Sequence, residues 1–228
     1  MSETDKTSLH KEFELERMIL FSDAVFAIAI TLLIIEVKFP ELPENYNSSP
    51  NLLKLFKPTI LQFVAFLVSF FFIGVSWVKH LKMFRYLKKY DDRLVILNLV
   101  SLFFIVAFPF SASGVIHFKP DFAFPMVIYL ANIMLVMLSN FLVAHHIFKR
   151  NAHLCFPGNE IEKTYIYKQS LYPAVTLTTV FIIVVSTAII TNNNAKYVAF
   201  STYSLFICLF IMKRKIKKYK PKKEVTGS

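Results

Sequence analysis

Glycine is scarce in this chain, with 4 residues in 228. That scarcity argues against phosphate-cradling loops, Gly-rich dinucleotide turns and close GxxxG helix crossings. No TVGYG segment of the kind whose carbonyls form an ion filter occurs either. The two cysteines, Cys155 in a polar stretch and Cys208 in an apolar one, are too few and too isolated for a disulfide framework or a metal cluster. Charged residues make up 18% of the chain, short of the roughly 25% of a soluble domain. There is no HExxH zinc motif, no GxSxG nucleophile turn and no pair of aspartates within apolar blocks, so no enzyme class is indicated. We expect a non-enzyme without a cofactor or a bound metal.

What remains is strongly apolar. Hydrophobic residues reach 55% and phenylalanine alone contributes 25, with a mean hydropathy of +0.51. Apolar blocks alternate with short charged ones, the pattern of repeated membrane crossings. The blocks run from about Met18 to Val37, Pro58 to Val78, Leu94 to Val115, Phe122 to Phe148, Leu171 to Ile190 and Tyr197 to Met212. Turns are expected around Lys119-Pro120-Asp121 and Asn192-Asn193-Asn194. The sixth block, at 16 residues, reaches only about 24 Å against a hydrocarbon core of about 30 Å, so it needs flanking residues to cross. The fold class is therefore an all-α integral membrane protein with six transmembrane helices. Its parts are an N-terminal segment (1–16), a transmembrane domain (17–212) and a basic tail (213–228). No cleaved signal peptide is expected.

Lys and Arg set the orientation. The N-terminus through Arg17, the second-to-third connection, the fourth-to-fifth connection and the C-terminal segment hold 21 of the 26, leaving 5 for the other three connections. Both ends are therefore expected in the cytoplasm. The net charge of +11 reflects this collection of cations on one membrane side, in contact with lipid, rather than nucleic acid. The sequon Asn47-Ser48-Ser49 would lie outside, where a chance match is the plainer reading.

Ionisable groups within spans are costly and need partners. Arg17 and Asp23 are six positions apart, hence about 120° apart around a helix and about 9 Å along it. Each therefore needs partners from other helices. They either fasten the bundle or form an ion or proton site. His80, at the end of the second block beside Trp77, is read as a hydrogen-bonding anchor, with proton acceptance as the alternative. His145-His146 has no third ligand at zinc spacing. Glu36 and Lys38 end the first block where water is within reach. Pro109, Pro125 and Pro173 are weak candidates for helix breaks, so a secondary transporter stands as the alternative to a channel.

The run Arg17-Met-Ile-Leu-Phe21-Ser22-Asp23, continuing as AVFAIAITLL, resembles the RxxxFSD signature of the transmembrane-protein-175 family of potassium channels. Trp77-Val-Lys-His80, Asn98 and Pro109-Phe110 extend the likeness. The resemblance implies a potassium-selective channel, a homotetramer of one-unit subunits in a prokaryotic plasma membrane, with the first helix lining the pore. It implies an apolar constriction at Ile28, with Leu32, Ile35 and the hydroxyl of Thr31 in further pore layers. Arg17, Phe21, Ser22, Asp23, Trp77, His80 and Asn98 would form a structural network, and potassium would be the permeant ion. The spacing of Ile28, Leu32 and Ile35 makes one helix stripe, which by itself is equally compatible with packing.

Overall fold

The computed structural model of the protein describes residues 3–40, 52–117, 124–192 and 194–220. The sequon at Asn47, the turn at Lys119-Pro120-Asp121, Asn193 and the tail beyond Lys220 lie outside the described residues. Eight α-helices occur among those described: α1 (Glu3–Leu32), α2 (Leu52–Phe84), α3 (Asp92–Val106), α4 (Phe108–His117), α5 (Phe124–His145), α6 (Glu160–Ile190), α7 (Ala195–Ser201) and α8 (Ser204–Lys217). They supply six stretches long and apolar enough to cross a membrane, including Glu12–Glu36, Leu55–Phe84 and Asp92–Gly114. The protein is a multi-pass, all-helical membrane protein.

The third stretch comprises two helices because of Pro109. Proline has no N–H to donate to the carbonyl of Ile105, so α3 stops at Val106 and α4 resumes at Phe108. Around the break, Ala107 N–H donates to Phe103 O at 3.0 Å and the Ser111 hydroxyl to Phe108 O at 2.9 Å. The last crossing is likewise divided, at Thr202–Tyr203, and extends over 22 residues, Lys196–Lys217. At about 33 Å it now spans the core. Only 6% of its apolar window is buried, which puts α8 on the periphery against α6.

Three apolar clusters hold the bundle. One joins Met83, Phe84, Leu94, Val143, Ile147 and Ile166 at the end rich in Lys and Arg. The second joins Phe26, Ala29, Ile73, Ile105, Phe108 and Val136 in the middle. The third joins Leu130, Val180, Val184 and Val198 at the far end. At the basic end the α2–α3 and α5–α6 connections knit together. Lys88 and Lys89 N–H groups both donate to Leu154 O, and Phe156 N–H donates to Tyr86 O.

Candidate functional site

Helix α1 has two unlike faces. Ser22, Phe26, Ala29 and Leu33 follow a 4-3-4 spacing and are buried against the bundle. Phe21, Ala24, Ile28, Thr31, Leu32 and Ile35 lie on the other face and are left uncovered by their own subunit. Ile28 is 57% exposed and Ile35 64%. After Leu32 the helix tightens to a 3-10 turn, Leu33–Glu36, a difference from the single α-helix expected from sequence. At about three residues per turn Ile35 falls almost directly above Leu32, so the stripe persists. The Thr31 hydroxyl is turned back onto Ile28 O at 2.9 Å. Beyond the turn, Lys38 N–H donates to Gln62 Oε1 at 3.0 Å and the Thr59 hydroxyl to Lys38 O at 3.1 Å, which pins the end of α1 to α2.

Behind the stripe, α1 is anchored by a chain of polar groups. Ser22 donates to Met18 O and accepts from Asn98 Nδ2 at 2.8 Å. Asn98 has then used its amide donor on Ser22, so its Oδ1 accepts from His80 Nε2 at 2.9 Å. That arrangement requires the His80 tautomer protonated on Nε2. His80 Nδ1 is buried without a partner, and its ring stacks on Phe84 at 4.0 Å between centroids, with Phe26 tilted alongside. Ser22, His80 and Asn98 are each at most 1% exposed. One helical position on, Asp23 accepts from Trp77 Nε1 at 2.8 Å. The partner that Asp23 needs thus comes from α2.

Arg17 stands apart from this chain. Its guanidinium lies 6.0 Å from the Phe13 ring centroid, and it lines a cavity of about 380 Å³ together with Glu14, Phe21, Tyr90 and Asn98. Within one subunit the structure brings Ser22, Asp23, Trp77, His80 and Asn98 together and leaves Arg17 and Phe21 at the edge.

A second polar cluster escaped the sequence reading. Asp91 caps α3, accepting from Leu94 N–H at 2.8 Å. It also meets His146 Nε2 at 2.9 Å and Asn151 Nδ2 at 2.9 Å. A π-helical turn, His146–Arg150, swings His146 inward to make this contact. Burial pushes the Asp91 carboxyl up, but its hydrogen bonds with His146, the Leu94 N–H and Asn151 prevail and hold it below its ordinary value. The capping pattern before α3 was a visible signal; the partnership with a histidine 55 positions away was not. Buried pairs Ser101–Asn140 and Asn132–Ser111 tie α5 to α3 and α4 in the same manner.

Residues 17–109 match the family model described as endosomal/lysosomal potassium channel TMEM175. This stretch is similar to the TMEM175 family. It contains the whole anchor and the α1 stripe, and it ends at the Pro109 break. Over 93 residues the chain is 38% identical to a potassium channel of Streptomyces collinus, covering 41% of this chain and 43% of that protein. Over 107 residues it is 33% identical to a potassium channel of a Chryseobacterium strain, covering 46% and 52%. The human endosomal/lysosomal proton channel TMEM175 is 30% identical over 106 residues, covering 46% of this chain and 20% of that one. The matched stretch thus spans about half or less of each of these relatives. Beyond Pro109 the likeness is one of fold. The crystal structure of a lysosomal potassium-selective channel TMEM175 homologue from Chamaesiphon minutus superposes with a TM-score of 0.63 at 22% identity, covering 90% of this chain and 96% of that one.

Proposed function

We propose that four copies of the chain assemble around the uncovered face of α1 into a passive, potassium-selective channel. The observation that carries this reading is the division of α1. One face is fastened to its own bundle through Ser22, Asn98 and His80, while Ile28, Thr31, Leu32 and Ile35 await a covering. The naming of several relatives as potassium channels supports it. In this assembly the Ile28 side chains make the constriction, and the ring gates by dewetting. Selectivity cannot come from backbone carbonyls along α1, because a helix has already spent them on internal bonds. Pore width, ion dehydration and the Thr31 hydroxyls remain. Arg17, at the edge of the cavity beside Asn98, would complete its contacts in the assembly.

A transporter would place a broken helix around a polar site at mid-membrane. The break at Ala107 instead lies between the buried apolar side chains of Ile105 and Phe108. The assembly is proposed to lie in a prokaryotic plasma membrane with both termini cytoplasmic. Reporter fusions after Ser228 and within the α1–α2 connection should then report opposite sides, and a common side would overturn the topology. The functional test is purified protein in liposomes with an imposed potassium gradient. A passive current reversing near the potassium equilibrium potential is expected; saturating, proton-coupled uptake would refute the channel.

A further inference from the structure

From Lys163 to Lys223 the sequence contains no Asp or Glu, yet 11 Lys and Arg. Most of these lie at the basic end, and the fold sorts them. On α6, the Nζ of Lys168 lies 5.8, 5.7 and 5.4 Å from the ring centroids of Tyr167, Tyr172 and Tyr219. Three ring faces hold this ammonium in place without neutralising it. No ion pair among the described residues includes Lys168, Lys215 or Lys218.

Tyr219 is delivered by the residues just past α8, with Tyr172 and Tyr219 ring centroids 6.2 Å apart. Lys215, Lys218 and Tyr219 share one side of this helical stretch by their three- and four-residue spacing. The phenol of Tyr219 is held below its ordinary value by its hydrogen bond with Tyr172 and then by the Lys168 charge, against slight burial, with Lys218 and Lys215 adding to the effect. The Lys168 ammonium thus sits against the Tyr219 ring, while Lys215 and Lys218 precede Tyr219 by four positions and one along the same stretch. The depth of Lys168 is also informative. Helix α6 has 31 residues, about 46 Å, and exceeds the hydrocarbon core by about 16 Å or ten to eleven residues. With Ile190 at the far boundary, Lys168 and Tyr172 stand at headgroup level, where tyrosine favours the interface.

We propose that Lys168, Lys215, Lys218 and the Tyr219 hydroxyl form a binding site for the phosphate of an anionic membrane lipid, between α6 and the end of α8. The phosphodiester oxygens accept from the ammonium groups and the phenol, and the acyl chains continue along the exposed apolar side of α8, Phe206, Ile207 and Phe210. The site is independent of the pore reading, since it uses no residue of α1.

The test is titration of the purified full-length protein in detergent with phosphatidylglycerol, read by native mass spectrometry as lipid retained per subunit. Lys168→Gln/Lys215→Gln/Lys218→Gln is compared with Lys213→Gln/Arg214→Gln/Lys217→Gln, which removes the same charge from the same end. At about fivefold per lysine near a headgroup, the first variant should lose roughly a hundredfold in apparent affinity if the three act together. The second should lose less than about a tenth as much, and Tyr219→Phe should lose a few-fold. Equal losses in the two triple variants would reduce the effect to diffuse charge and overturn the site. So would inorganic phosphate competing at concentrations equal to the lipid, which would make it a free-anion site. Phosphatidylcholine retained as well as phosphatidylglycerol would also overturn it. Thermal unfolding of each variant without lipid verifies folding; if either triple variant fails, single Lys168→Gln is compared with single Lys213→Gln under the same criteria.

Discussion

His80 and Asn98, 18 positions apart, meet through Nε2 and Oδ1 at 2.9 Å, both all but inaccessible to solvent. The amide of Asn98 reaches on to Ser22, so one short chain of hydrogen bonds binds three helices. His80→Phe keeps an aromatic ring against Phe84 but withdraws the donor. A buried acceptor left unpaired costs about 1–3 kcal/mol. His80→Phe should therefore lower thermal stability in detergent, and Asn98→Leu in the same background should add much less than it does alone. Strict additivity in this double-mutant cycle would show that the two residues are not coupled.

Asp23 and Trp77 give a different expectation. Asp23→Asn retains an oxygen for Trp77 Nε1, whereas Asp23→Ala leaves the indole donor without its partner. Size exclusion should show near-native assembly for the asparagine variant and loss of assembly or aggregation for alanine. A well-assembled Asp23→Ala protein with altered ion preference would instead put the carboxylate in the permeation path.

The proposed constriction is tested at Ile28. Ile28→Asn exchanges an apolar branch for an amide that can hydrogen-bond a passing ion or water molecule. Basal current should rise and the preference for potassium over sodium should weaken. Ile30 packs against the middle cluster instead, so Ile30→Asn should act through stability. Well-folded Ile28→Asn channels with unchanged amplitude and unchanged preference would move the constriction elsewhere.

Asp91 predicts a pH dependence. Its folded-state value lies below the ordinary carboxylate value of 3.8. Its contribution to stability is therefore complete above about pH 4 and is lost as pH falls through the lower folded-state value. The stability difference between the native protein and Asp91→Asn should hold steady as the pH is lowered towards 4 and shrink only below it. A difference already vanishing at pH 5 would mean that the carboxylate is not held down by His146, Leu94 and Asn151.

Much of the architecture was legible in the chain itself. Long apolar blocks separated by Lys and Arg leave few alternatives to six crossings, because every backbone polar group in hydrocarbon must be satisfied within a helix. The RxxxFSD run, with Trp77, His80 and Asn98, marked the stretch where the polar anchor is found. Helical periodicity also put Ile28, Leu32 and Ile35 in one stripe. The same periodicity cannot distinguish a stripe that packs from one left bare; only the bundle decided that, by burying Phe26, Ala29 and Leu33 and covering none of the others. Likewise, composition reveals that buried polar groups need partners but not which partners. The Asp91–His146 contact depends on a π-helical turn, and Arg17 lies beside a cavity rather than in the anchor, because side-chain reach and helix rotation are settled by packing across distant segments. The lysines near Tyr219 are of the same kind: the sequence determined their number and sign, and the docking of α8 against α6 decided that Tyr219 lies against Lys168.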